Sequence, residues 1–318
     1  MMHDPLGDEV ARRLVTALLV ESAVYPKPGL VDRINRLPEL DIINLQTASV
    51  AFYRWLRLAA ISGARKAWSG RLGKYISHAV EDMLNVQGGG NTHLGALLLL
   101  FPISCAAGLL GSRKNWQSDV KLRRAIREVL ERTVWRDCIY ILKSISMASP
   151  GGLGNVSFLD VKKPHTYELI KSRKASIIEV FGNYRGRDMI IDEYLSNYSL
   201  TFDVSLKTFK LWLKRTNDLE VSAVNALLAV MSKRPDTHIS RRKGIDKARI
   251  VMSIASKVLR LGGVATKEGR KRLSILDEYL RSNDIRPGAS ADILDATLAI
   301  FFLGVGRFSR DALLDFVS

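Results

Sequence analysis

A chain of 318 residues with 47% hydrophobic and 25% charged content is long enough to bury a large core and too apolar to be disordered. Its formal charge of +16, from 48 Lys and Arg against 32 Asp and Glu, favours polyanionic partners: nucleic acid, phosphorylated metabolites or an anionic membrane surface. Two cysteines, Cys105 and Cys138, both inside apolar helical patterns, exclude a disulfide framework and a zinc site.

The opening, "MMHDPLGDEVARR", is acidic and polar ahead of any apolar run, so it does not read as a secretory signal and the expected location is the cytoplasm. In "YPKPGLVDR", residues 25–33, two prolines stiffen the approach to Gly29. Lys27, Asp32 and Arg33 project from that segment, either as binding residues or as charges of a rigid turn. Helical spacing then joins Leu45, Ala48, Phe52, Trp55, Leu56 and Ala59, and next Leu72, Ile76, Ala79, Val80 and Met83, with Glu81 near the end of the second pattern. "QGGGNT" places Gly89, Gly90, Asn91 and Thr92 before a helix start, as a phosphate cradle does when bare amides face an anion. His93 follows, as a cap, a satisfied core histidine or a ligand.

The chain contains no Walker loop and no G-x-G-x-x-G after a strand. The apolar run from Leu94 to Leu110 is short for a membrane span and is interrupted by Pro102, Ser104 and Gly108, which predicts a buried core helix. Leu122, Ala125, Ile126, Val129 and Leu130 predict another helix, whereas 156–161 and 199–204 are the two stretches that admit extended structure. "RPDTHISRRKG" sets Asp236 beside Arg241, Arg242 and Lys243. That mixture suits a metal-bound triphosphate, or a helix C-terminus with cations on its dipole. In "RPGASADILDATL", Ser290 is a candidate N-cap, and Asp292 and Asp295 fall three apart on one helix face. With no Pro/Ser linker, the expectation is a single all-α domain over 1–318, bundle-like, with a site built from helix-end loops.

Taken in order, "PKPGLVDR", "AVEDML…GGGNTHLGA", "DTHISRRKG" and "RPGASADILDATL" resemble the motif series of the triphosphoribosyl-dephospho-CoA synthase family, from about Glu21 to Phe302. The resemblance implies an all-helical fold, ATP with Mg²⁺ as donor and 3′-dephospho-CoA as acceptor. The acceptor's 2′-hydroxyl would attack the ribosyl C1′ of ATP, release adenine and keep the triphosphate on the transferred sugar, giving a prosthetic-group precursor for an acyl carrier protein. The chain departs from the family pattern at Leu94, His238 and Lys243, where the family usually carries Lys, Asn and Gly.

Breaking an N-glycosidic bond through an oxocarbenium-like state needs a carboxylate near C1′, a hydrogen bond to the leaving base and cations around the triphosphate. The expected catalytic carboxylates are Asp32, Glu81 and Asp292. Lys27, Gly29, Arg33, Gly89, Gly90, Asn91, Thr92, His93, Arg242, Lys243 and Ser290 are the expected nucleotide contacts, and Asp236 and Asp32 the Mg²⁺ ligands. Two alternatives stand beside this: a ribosyl transferase or hydrolase using another acceptor, and a helical RNA-binding protein. The second requires aromatics interleaved with basic residues on an exposed face, but Trp55, Trp135 and Trp212 fall in apolar patterns, so nucleic acid is disfavoured. A homodimer is compatible with the sequence, and a membrane partner is not expected.

Overall fold

The computed structural model describes residues 4–87, 90–148 and 163–305. Among them the chain is helical nearly throughout, and the β-structure is one isolated bridge between Leu37 and Leu40. Helix α1 (Pro5–Ala23) begins where Asp4 accepts the Gly7 amide at 2.9 Å and Pro5 fills the first turn. After the loop at 24–41 come α2 (Ile42–Ala51) and α3 (Tyr53–Ala64), so the apolar spacing from Leu45 to Ala59 is divided between two helices at Phe52. The chain continues through α4 (Leu72–Val86), α5 (Leu94–Leu110), α6 (Arg113–Trp116), α7 (Asp119–Glu131) and α8 (Trp135–Ala148). From residue 163 it runs through α9 (Pro164–Arg173), α10 (Ile177–Gly182), α11 (Met189–Ser196), a π-helical segment (Leu200–Leu206) and α12 (Lys207–Thr216). Then follow α13 (Leu219–Lys233), α14 (Thr237–Lys243), α15 (Ile245–Arg260), a 3₁₀ turn (Gly263–Ala265), α16 (Lys267–Ser282) and α17 (Gly288–Gly304).

Helix α5 is apolar on every side, which only a central position satisfies; α1, α3, α4, α7 and α17 pack around it. Among the described residues no helix is long and apolar enough to cross a membrane. Helix α17 is buried along most of its length and joins α1 and α5 to α13 and the π-helical segment. Helix α13 is buried along most of its length, the amphipathic helices α12, α15 and α16 lie outside it on that side, and α8 covers α4 on the other. Cys105 and Cys138 are buried, free thiols. Trp55, Trp135 and Trp212 are half-buried on three different helices. Each lies under an arginine of its own helix, Arg54, Arg136 and Arg215 at 4.8, 4.9 and 5.6 Å from the ring centre.

One predicted extended stretch, 199–204, is helical. The buried carboxylate of Glu193 accepts the amides of Leu200 and Thr201 at 2.8 and 2.9 Å, gathering them into a wide π turn, and an extended chain would strand that carboxylate in the core. The other stretch, 156–161, lies outside the described residues. A second irregularity positions the site. Pro102, inside α5, has no N–H to give the carbonyl of Leu98. The Tyr194 hydroxyl donates there at 2.6 Å, and Tyr198 donates to the Leu99 carbonyl at 2.9 Å. These bonds fasten α11 across α5, and the starts of both helices line one cavity.

Candidate active site

Helix ends meet around a cavity of about 860 Å³. Its wall takes Lys27, Leu30 and Glu39 from the 24–41 loop, Gly90 to His93 and Gly95 from the start of α5, and Leu142 and Ile145 from α8. Arg187 and Asp188 come from the turn before α11, His238, Arg241 and Arg242 from α14, and Arg286, Asp292 and Asp295 from the start of α17. Glu21 enters from the last turn of α1.

The floor is acidic and desolvated. Lys27 Nζ and Glu21 Oε1 form a buried ion pair at 2.7 Å. Asp292 Oδ1 accepts the Ala96 amide at 2.9 Å, so a carboxylate from α17 caps α5. A Cβ at Gly95 would overlap that carboxylate, which explains one glycine of the motif through close approach. Burial, reinforced by the charges of Asp236, Asp188 and Glu21, pushes the Asp292 carboxyl up to about 8. His93 places Nδ1 2.9 Å from Thr92 Oγ1, and burial with the nearby Lys27 charge pushes it down to about 3. It is therefore neutral at physiological pH.

The rim is cationic. Arg241 pairs with Asp188, whose other oxygen caps α11 at the Ile190 amide, 2.8 Å away. Arg286 spans Glu39 and Asp284, the latter at 2.7 Å, and Arg242 reaches Asp284 at 3.3 Å. Burial and the charges of Arg241, Arg242 and Arg286 push His238 down to about 4, leaving the positive charge of this rim to guanidinium groups.

Of the residues expected at the site, Lys27, Gly90, Asn91, Thr92, His93, Arg242 and Asp292 line the cavity. Gly89 lies outside the described residues. Two of the α5 amides that the expected phosphate cradle would offer are occupied: Asn91 Oδ1 holds Leu94 N at 3.0 Å and Asp292 holds Ala96 N. Gly95 lies against the Asp292 carboxylate, whereas a side chain added at Gly90 would meet nothing within 4 Å.

Asp32, Asp236 and Ser290 sit behind the wall, not in it. Asp32 is buried and accepts the Ile34 and Asn35 amides at 2.9 and 2.7 Å, the work of a loop organiser. Asp236, 3% exposed, accepts four hydrogen bonds: His238 N and Ile239 N on Oδ1, Ser290 N and Oγ on Oδ2. It staples α14 to α17 and consumes Ser290 in doing so. Gly29 packs its backbone on the end of α16 and the turn after it, where a Cβ would strike the Leu280 side chain and the Ile285 carbonyl. Arg33 turns outward to Glu220, and Lys243 to Asp284 at 3.2 Å. Glu81, with a side chain 46% exposed, pairs with His78 on the outer face of α4 at 2.9 Å, so it is not placed to act on anything in the cavity.

Glu21, Arg187, Asp188 and Arg286 were not singled out from sequence. Glu21 only marked where the family resemblance begins, and Arg286 stood in a quoted motif as its first residue, with no role assigned. Among the described residues no three His, Cys, Asp or Glu side chains are grouped to hold a metal. The expected Mg²⁺ ligands, Asp32 and Asp236, do not fit a resident ion, because their oxygens are already engaged by backbone donors.

Comparison with known proteins identifies the family. The family profile described as ATP:dephospho-CoA triphosphoribosyl transferase matches residues 7–309. The 2-(5''-triphosphoribosyl)-3'-dephosphocoenzyme-A synthase of Klebsiella pneumoniae is 25% identical over 299 residues, covering 92% of this chain and 89% of that one. Its counterpart from Escherichia fergusonii is 26% identical over 296 residues, covering 91% and 88%. A crystal structure from Archaeoglobus fulgidus, described as a triphosphoribosyl-dephospho-CoA synthase, superposes with a TM-score of 0.57 at 22% identity, covering 80% of this chain and 97% of that one, and supports the all-α fold. The chain belongs to the ATP:dephospho-CoA triphosphoribosyl transferase family.

Proposed function

We propose that this chain, as a single all-helical domain, transfers the triphosphoribosyl group of ATP to 3′-dephospho-CoA with release of adenine. The observation that carries the reading is the polarity of this cavity: a guanidinium rim from Arg187, Arg241, Arg242 and Arg286, an acidic floor at Asp292 and Asp295, and an apolar wall between them. Guanidinium forks match phosphate oxygens, so the triphosphate lies on the rim. The apolar wall at Leu142, Ile145, Phe181 and Ile190 suits the acceptor's uncharged arm. Mg²⁺ enters with ATP, held mainly by phosphate and water oxygens, in keeping with the few carboxylates Mg²⁺ requires.

The reacting carbon is then presented to Asp292. With its pKa pushed up to about 8, Asp292 is mostly protonated at neutral pH, but the ionised fraction is a stronger base than an ordinary aspartate; that carboxylate takes the proton of the attacking hydroxyl, and turnover rises as the pH climbs towards 8. Neutral His93 offers hydrogen bonds without adding charge beside the developing oxocarbenium ion. Incubation with ATP, Mg²⁺ and dephospho-CoA, followed by mass spectrometry, tests the reading: it expects adenine and an acceptor heavier by one triphosphoribosyl group in equal amounts. Adenine without the heavier acceptor means hydrolysis and rejects the transferase assignment.

The rim makes its own prediction. A charge-assisted hydrogen bond is worth ~1.5–3 kcal/mol, so Arg286→Ala is expected to raise KM for ATP by roughly 10–100-fold with a smaller change in kcat. Initial-rate kinetics check this against Glu39→Gln, which keeps the guanidinium and weakens its existing partner. That second variant is expected to leave KM for ATP unchanged or lower.

A further inference from the structure

Asp295 lies one helical turn beyond Asp292, on the same face of α17. It lines the cavity, is 4% exposed, and its Oδ1 has no hydrogen-bond partner among the described residues. A buried carboxyl oxygen without a partner is costly. The other buried carboxylates described above have partners: Asp32, Glu193 and Asp236 accept backbone amides, and Glu21 is paired with Lys27. Asp295 therefore stands out as a polar group arranged for something that arrives.

Its position says what arrives. Arg241 and Arg242, with side chains 28% and 32% exposed, mark the mouth; Asp292 is half-buried, and Asp295, one turn further along α17, is buried. A nucleotide whose phosphates lie on the rim and whose ribose meets Asp292 has its base at Asp295. On the proposed transfer reaction, we infer that Asp295 is the general acid that protonates the departing adenine.

As the C1′–N9 bond breaks, its electron pair passes into the purine and the Asp295 proton goes to a ring nitrogen. The acceptor oxygen bonds to C1′, and its proton goes to Asp292. Return of that proton from Asp292 to Asp295 resets the pair, so the net proton moves from the acceptor hydroxyl to adenine. Burial above all holds the Asp295 carboxyl well above the usual range. The charges around it favour the same role: Glu21 of α1 and Asp292 of α17 oppose its ionisation, and Lys27, which favours it, is committed to Glu21.

The test compares ATP with an analogue methylated at N7 of adenine, whose ring already carries the positive charge and needs no acid to leave. Asp295→Asn is expected to release adenine from ATP ~10²–10⁴-fold more slowly than wild type, yet to turn over the methylated analogue at close to the wild-type rate. That rescue also shows the variant is folded. In the wild type, the high-pH fall in kcat/KM seen with ATP should be absent with the analogue. The inference is overturned by full activity of Asp295→Asn on ATP, by equal loss on both substrates, by a high-pH limb that persists with the analogue, or by a wild type that leaves the analogue intact. A wild type that releases no adenine from ATP in the presence of dephospho-CoA rejects instead the reaction on which the inference rests.

Discussion

Replacing Asp292 with asparagine is expected to slow adenine release by roughly 10²–10⁴-fold, the usual contribution of a positioned acid or base, without weakening the fold. The amide oxygen can still accept the Ala96 N–H, so the cap on α5 survives while the titration disappears. The stability consequence follows from the raised pKa. Between the ordinary aspartate value of 3.8 and about 8, the folded protein holds a proton at Asp292 that the unfolded chain has released. The carboxyl's contribution to wild-type stability is thus greatest below pH 3.8 and is lost as the pH climbs towards 8. Melting curves from pH 5 to pH 8 should show Asp292→Asn gaining on the wild type, by no more than ~1.4 kcal/mol per pH unit. Retained activity with an unchanged melting profile would leave Asp292 as a helix cap and nothing more.

Asp236→Asn is expected to fail in the opposite way. A carboxylate accepts from four donors here: His238 N at 2.8 Å, Ile239 N at 3.1 Å, Ser290 N at 2.8 Å and Ser290 Oγ at 2.7 Å. An amide has one oxygen, so in either orientation its NH₂ faces a buried backbone N–H. Leaving such donors unpaired costs ~1–3 kcal/mol each, and a loss of ~2–4 kcal/mol is expected in denaturant melts. Because α14 carries Arg241 and Arg242 and α17 carries Asp292, the loosened joint should also raise KM for ATP, with turnover at saturating ATP largely kept. A stable Asp236→Asn protein with no adenine release would restore the metal role that the hydrogen bonds argue against.

These two aspartates show what the sequence could and could not convey. Both stand at helix starts in motifs rich in serine and arginine, and the sequence made one a metal ligand and the other a catalytic carboxylate without saying which way either side chain turns. What separates them is the direction of the side chain: Asp236 faces the amides of its own helix and of Ser290, while Asp292 crosses to the start of α5 and opens on the cavity. Helix positions were easier to read, because the spacing of Leu72 to Met83 and Leu122 to Leu130 records the buried faces of α4 and α7 directly. The π-helical segment was misread because what shapes it, the Glu193 carboxylate, lies seven residues upstream of Leu200. Arg187 and Asp188 belong to a turn with no periodic signal, and reach the site only because α11 is fastened across α5.

That fastening also constrains the order in which the chain could have acquired its residues. With Pro102 present, phenylalanine in place of Tyr194 would leave the Leu98 carbonyl without its hydroxyl donor, in the core and beyond the reach of α5's own backbone pattern. Without the proline, the helix supplies its own N–H to that carbonyl and either aromatic residue is tolerable. The tyrosine could therefore precede the proline at little cost, whereas the proline could not readily precede the tyrosine. Once both were in place the step became hard to reverse one substitution at a time, and lineages that retain the proline are held to the hydroxyl.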